Sequence, residues 1–309
     1  MAGVITTGSH PKALWPGIYA FWGTVYNEHP PEWKELCHTI SDSDKAYEEL
    51  VGDTGFGLAP QKQQGQGITY DSNVQSFVSR AVHVTYALGY AVTMEELQDD
   101  LYEKVSTARA RENAFSQRQT RETVVANIYN NGFSTAASNA IGDGKPFFST
   151  SHPTVTGSTF ANRPTTDADL SEASLEDALV SIAGFTNDRG LLISVMPRKL
   201  IVARQNIYNA ARILKSVYQS GTANNDINAI KAMNALPDGV SVNHYLTAAN
   251  AWFIKNDIPS GSGVVFFDRM PTTFDQDNDF NTKNALAASV TRFSVVVGDP
   301  RCAFGVNGP

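Results

Sequence analysis

Ser151 and His152 stand side by side before Pro153 and supply the residue types of half a nucleophile pair. Neighbours in a chain rarely face each other in a triad, so the histidine is expected to cap or fill the turn before the proline. The six histidines (His10, His29, His38, His83, His152 and His244) include no i, i+4 pair on a helix. The adjacent Cys37-His38 points two side chains in different directions, which suits structure better than metal ligation. Asp275, Asp277 and Asp279 alternate like the start of a calcium loop. The sixth position of such a loop is Phe280 where glycine is needed, and the twelfth is Leu286 where a bidentate glutamate is needed. A solvated turn is the expectation there. Gly52 to Gly57 has the glycines of a phosphate loop but no Gly-Lys-Ser/Thr to end it. Arg109, Arg111, Arg118 and Arg121 interleave with Glu103, Glu112 and Glu122, as on an ion-paired exposed helix face. No aromatic platform accompanies them to bind nucleic acid. No catalytic, metal or cofactor set emerges, and the weight moves to a structural protein that is not an enzyme.

Composition narrows the field further. Over 309 residues, 24 basic and 31 acidic side chains leave a formal charge of −7, the wrong sign for gripping phosphate. Hydrophobic content of 42% with 18% charged residues is that of a folded chain. Two cysteines, Cys37 and Cys302, make neither a disulfide scaffold nor a thiolate metal site. No targeting signal opens the sequence, and no stretch reaches the roughly 18 apolar residues of a membrane helix. A cytoplasmic protein without a membrane partner is expected.

The elements that would position these residues are uneven in character. Trp15, Tyr19, Trp22 and Tyr26 recur at steps of four, three and four, which places four rings on one helical face. That stripe either packs on the protein's own core or forms an arm that docks on a neighbouring subunit, and the spacing does not separate the two. Pro30 and Pro31 stop the helix. From Gly52 to Tyr70, glycines alternate with Gln61, Gln63, Gln64 and Gln66 in a long excursion from the body. A β-prone run over Phe77 to Tyr86 suggests a two-stranded extended loop that returns to the body. Thr93 and Glu96 then make a capping box. No glycine or proline falls between Met94 and Tyr129, and Met94, Leu97, Leu101, Val105, Ala108, Phe115, Val125 and Ile128 approximate one stripe. About 36 residues of helix would span roughly 55 Å, with Asn131-Gly132 as the stop. A polar loop follows, then a helix opened by Ser174, a strand at Leu200 to Ala203 and a helix from Ile207. Strand-like runs close the chain at Val240 to Leu246, Trp252 to Ile254, Val264 to Phe267 and Phe293 to Val297. Helices first and strands last give an α+β protein and not a βαβ array.

In that order the segments resemble the major capsid protein of tailed bacteriophages, the HK-ninety-seven type, with most likeness to the major head subunit of Mu-like phages. Val82-His83-Val84-Thr85-Tyr86-Ala87-Leu88-Gly89-Tyr90 runs into Thr93-Met94-Glu95-Glu96 as the extended loop runs into the spine helix of that family. Gly144 to Pro153 resembles the Phe-Ser-x-x-His-Pro turn after it. Pro197 with Lys199 to Val202 is similar to the start of the axial domain, and Arg292 to Gly305 to the last strands of the peripheral domain. The resemblance implies an amino-terminal arm over 1–48 and an extended loop with flanking strands over 49–90. It implies a peripheral domain over 91–190 with its spine helix at about 93–131, an axial domain over 191–270, and return strands over 271–309 that complete the peripheral domain.

Function follows from the same likeness. Copies would assemble as hexamers and pentamers into an icosahedral head around double-stranded DNA, in the host cytoplasm. A portal protein at one vertex, a scaffolding protein and a decoration protein are the implied partners, and no cofactor is. An acidic chain suits a container, because a basic inner wall would hold the genome against packing and release. Trp15, Tyr19, Trp22, Tyr26, Lys62, Arg109 and Arg111 are the expected intersubunit contacts. Many relatives carry a helical scaffolding segment before the arm; here the arm follows Met1 at once, which implies a separate scaffold or an arm used as made. Lys62 is the only lysine of the extended loop, and no cross-linking partner is evident for it. An encapsulin-like compartment for protein cargo, or a soluble enzyme or binding protein with an unrecognised site, are the alternatives. Particle contents would decide against the first and a monomer with a deep pocket would favour the second.

Overall fold

The computed structural model describes residues 15–41, 43–93, 95–96, 102–218, 226–258 and 263–308. Helix α1 (Trp15–Tyr26) tolerates Pro16 because a first turn has no use for its amide. It lies along α3 (Tyr102–Asn130). After Pro30-Pro31 the short α2 (Trp33–Leu36) buries Trp33 and Leu36, and the Trp33 ring stacks on Phe266 at 4.3 Å.

Helix α3 is laid over a four-stranded sheet. Its strands are β1 (His38–Ile40), β4 (Val84–Val92), β10 (Val264–Asn278) and β11 (Ala285–Val297), in the order β1-β10-β11-β4. The long β10–β11 hairpin is antiparallel from Val264↔Val297 to Asn278↔Ala285. Asp275 and Asp277 therefore sit on a strand, where a solvated turn was expected; only Asp279 occupies the turn, accepting from Asn281 N and the Thr282 hydroxyl. The face α3 turns inward carries Ala110, Asn113, Ala114, Gln117, Arg121, Glu122, Val125, Ala126 and Tyr129. Phe115 is 51% exposed instead of core, and Met94, Leu97 and Leu101 lie outside the described residues. The described helix begins at Tyr102, so its expected start at Thr93 is seen only as the Glu96 amide donating to Thr93 Oγ1.

Arg121 and Glu122 correct the expectation of an exposed charged face. Arg121 is 7% exposed. Its guanidinium lies 5.6 and 5.5 Å from the ring centroids of Phe266 and Phe293, and it bonds Asp268 and Thr291 Oγ1. The helix is thus keyed to the sheet by a buried cation set beside the stacked Phe266 and Phe293 rings.

A second sheet has the order β8-β7-β9-β12, from β7 (Met196–Ala203), β8 (Val240–Asn243), β9 (Trp252–Asp257) and β12 (Ala303–Val306). Helices α4 (Glu172–Ala183) and α5 (Ile207–Lys215) pack beside it, and α6 (Ala229–Ala232) packs on α5. Ser171 caps α4 and Ser174 completes its capping box, so the helix opens before Ser174. The sequence reading differs from the structure at the chain's last strand. β12 pairs with β9, so residues 303–306 join the sheet of the middle segment and not the strands of 271–297. Phe304 and Val306 are the physical reason, being buried beside Trp252 to Ile254. One apolar core runs from Trp33 and Leu36 through Val125 and Tyr129 to Phe148, Phe253 and Phe293, and so unites both sheets. The fold is mixed α+β, although strands appear in the first third as well as at the end.

Candidate assembly surface

Strands β2 (Tyr47–Asp53) and β3 (Gln75–Val82) pair antiparallel into a ribbon, Tyr47↔Val82 at its root and Asp53↔Gln75 at its outer end. Residues 54–74 form the excursion that glycine and glutamine content indicates. At the root, Ala81 and Leu50 pack on Val265 and Phe267. Farther out the ribbon is held by polar ties above a cavity of about 350 Å³ lined in part by Val51, Phe77, Ile141 and Phe160. Ser76 Oγ donates to Asp188 at 2.7 Å, and Arg189 donates to Ser72 O and lies 3.7 Å from Asp71. The turn carrying Asp188 is itself fixed by Arg301, which bonds Asp188 at 2.9 Å and Thr186 O at 2.8 Å and stacks over Phe160. Gly142 presses against the ribbon: a Cβ there would meet Ser79 Oγ at 2.5 Å and Val78 O at 2.6 Å.

The excursion has internal bracing. Thr54 exchanges hydrogen bonds with Asn73 and Val74 across it, and the Gly57 amide donates to Asp71 at 2.8 Å. The Gly57 and Ser72 amides hold the Asp71 carboxyl below its ordinary range. Upon this frame Phe56, Leu58, Ile68 and Tyr70 stand in solvent, Tyr70 at 92% exposure. Apolar side chains so placed leave most of their surface wet on their own body, which makes the hairpin tip a candidate interaction surface. Lys62 is exposed at the same end.

The other expected contact residues fall elsewhere. The Trp15 side chain lies outside the described residues. Trp22 is buried, stacked between Tyr26 (5.0 Å) and Phe274 (5.2 Å), with its Nε1–H donating to Asn113. The Tyr26 hydroxyl meets Thr272 at 3.0 Å. These two rings take the core-packing reading within the subunit, whereas Tyr19 is 59% exposed. Arg109 bonds Glu96 and Ala91 O, each at 3.1 Å, and the exposed Arg111 lies 5.7 Å from the Phe21 ring centroid. The structure thus gathers Arg111 and the α1 face, and sets Lys62 apart on the hairpin.

The chemistry-bearing residues serve the fold. His152 is fully buried, with Nδ1 2.6 Å from Asp143 and Nε2 3.0 Å from Asn162 Oδ1, so neither ring nitrogen is left for Ser151. Asn162 in turn donates to Phe147 O, Pro300 O and Ala303 O and accepts from Ser149 N. It joins the Phe-Ser-x-x-His-Pro turn to the carboxyl-terminal strand. No sequence signal singles out Asn162, Arg301 or Asp188; the residues each one joins are far apart in the chain. Both cysteines are free and buried, and burial pushes the Cys37 thiol up to about 12, out of nucleophilic range. Among the described residues, no group of three His, Cys, Asp or Glu could hold a metal ion, and no helix is long and apolar enough to cross a membrane.

The chain superposes on the procapsid subunit of bacteriophage JBD30 with a TM-score of 0.54 at 13% identity, over 99% of this chain and 77% of that one. For Mycobacterium phage Patience the values are 0.54 and 10%, over 100% of this chain and 90% of that one. For a virus-like particle from Pyrococcus furiosus they are 0.51 and 11%, over 94% and 98%. These likenesses establish the fold. No curated protein matches the chain. The family model described as phage capsid protein matches residues 78–306. The chain belongs to the phage capsid protein family, a family of structural proteins.

Proposed function

We propose that this chain is the major capsid protein of a tailed phage or prophage, of the HK-ninety-seven type and Mu-like. Its copies close as hexamers and pentamers into an icosahedral head around double-stranded DNA. The observation that carries this reading is the braced hairpin with Phe56, Leu58, Ile68 and Tyr70 in solvent. Seated on an adjacent subunit, those side chains bury apolar surface that their own body leaves wet. A contact between unlike surfaces, repeated from subunit to subunit, closes a ring or a shell. Individual contacts can be weak because every subunit makes several.

In this reading α3 is the spine helix of a peripheral domain over 91–190, and 191–270 forms the axial domain. Trp22 and Tyr26 anchor the arm to its own body, leaving Trp15 and Tyr19 for a neighbour. Lys62, Arg109 and Arg111 complete the contacts. A scaffolding protein guides assembly in the host cytoplasm, a portal takes one vertex, and a decoration protein coats the shell. Negative-stain electron microscopy with light scattering, on the chain expressed alone and with its neighbouring genes, tests the reading. Shells or rings of five and six subunits are expected; a lone species near 33.5 kDa in every preparation would overturn it. Deleting Gly55 to Gly67 is expected to leave capsomers or monomers, and closed shells from that deletion would remove the hairpin's role. The likeness to an archaeal virus-like particle supports a second reading, a shell without a genome. The ratio of absorbance at 260 and 280 nm in native particles separates the two.

A further inference from the structure

One buried group has no part in the assembly surface. Glu122 on α3 is 2% exposed, and its Oε2 meets no hydrogen-bond donor. Oε1 accepts from the Glu32 amide at 2.9 Å, at the entry to α2. The Glu32 carboxylate reaches the other way: Oε1 lies 2.7 Å from His244 Nδ1, and Oε2 accepts from His244 N at 2.9 Å. His244 directly follows β8. Three segments distant in sequence therefore meet through two carboxyls and one imidazole. Arg118 on α3, Cys37 after α2 and Tyr245 beside His244 are the other titratable or charged groups facing Glu122. The Glu32–His244 pair is solvent-facing and contributes little by itself; the buried carboxyl dominates.

We propose that Glu122, Glu32 and His244 form a proton-operated latch that fastens the amino-terminal segment to α3 and to the second sheet. Burial pushes the Glu122 carboxyl up to about 7; the Glu32 carboxylate adds to the rise, and the Glu32 and Trp33 amides with Arg118 oppose it. A carboxyl raised in the closed state holds its proton more tightly closed than open. The stabilisation is complete below the ordinary carboxylate value of 4.5 and is lost as pH rises to about 7. Above that point an ionised Oε2 without a donor sits beside a second carboxylate. Opening of residues 31–37 lets water reach it, so the open fraction rises by up to about a hundredfold across the interval.

Hydrogen–deuterium exchange of the full chain between pH 5.5 and 8.5, corrected for intrinsic rates, reads this directly in peptides covering 31–37 and 243–246. The wild type is expected to lose protection there by tenfold or more, with a midpoint near pH 7. Glu122→Gln keeps an acceptor for the Glu32 amide without the charge and is expected to remove the step. Glu32→Gln is expected to move the midpoint down. An equal step in Glu122→Gln, or none in the wild type, would overturn the latch. Should Glu122→Gln not fold, infrared difference spectra of the wild type and Glu32→Gln decide. A protonated carboxyl band that vanishes near pH 7 supports the latch, and no such band overturns it.

Discussion

Replacing Asn162 with leucine removes a five-way junction while keeping the number and branching of side-chain heavy atoms, so its cost is a cost of polar groups and not of a cavity. The native side chain accepts from Ser149 N at 2.9 Å and His152 Nε2 at 3.0 Å, and donates to Phe147 O at 2.8 Å and Pro300 O at 2.9 Å. In Asn162→Leu the Ser149 amide and the His152 ring lose their acceptor in a fully buried site. Each stranded donor costs about 1–3 kcal/mol, and each lost bond to a carbonyl about 0.5–1.5 kcal/mol. Pro300 O keeps a second donor in the Ala303 amide, which trims the sum. A total of roughly 3–7 kcal/mol follows, a large share of the 5–15 kcal/mol typical of a folded chain. Urea unfolding of the unassembled subunit, followed by fluorescence of the buried Trp33 and Trp252, measures it. Asn162→Asp sharpens the test, because it keeps the one oxygen that accepts from Ser149 and His152 and turns a second oxygen toward three carbonyls; its defect is expected to shrink on acidification. A leucine variant that unfolds within about 1 kcal/mol of the wild type would refute the idea that this junction joins the turn to the carboxyl-terminal strand.

Two further outcomes test the hairpin. Gly142→Ala drives a methyl into Ser79 and Val78 O, so the ribbon must shift at a cost of about 1–3 kcal/mol. Reduced melting temperature and slower assembly, read by light scattering, are expected together. Phe56→Ser combined with Tyr70→Ser removes exposed apolar surface only. Unassembled stability is expected to stay within about 0.5 kcal/mol of the wild type while shell yield collapses; unchanged yield would count against the hairpin as a contact.

The parts of the fold legible in the sequence are those with a local cause. The aromatic steps of Trp15 to Tyr26, the proline pair after them and the glycine-free run of α3 each encode an element within a few turns of chain. The excursion at 54–74 was legible because glycine and glutamine have nothing to bury. The inward face of α3 was not, since Asn113, Gln117, Arg121 and Glu122 are polar residues whose burial depends on partners 90 to 172 positions away. Hydrophobic periodicity assigns such residues outward. Asp275 and Asp277 misread as a turn for a related reason: a two-faced hairpin extending from the body exposes acidic residues as readily as a loop does. The pairing of β12 with β9 has no local signature at all. It is fixed by Phe304 finding the Trp252–Ile254 strand, some fifty residues earlier.

That last pairing has a consequence for when the subunit becomes competent. Trp33 and Leu36 from the start of the described chain share one core with Phe304 and Val306 from its end. Contacts of such separation carry a heavy loop-closure entropy and form late. A ribosome-bound chain still lacking β12 presents β9 as an open edge and leaves Trp252 and Phe253 under-packed. The core closes only once residues 303–306 have emerged. The hairpin, built from residues near position 60, is made long before that. Its apolar tip is therefore made, and stands exposed, before the core that carries it has closed on residues 303–306.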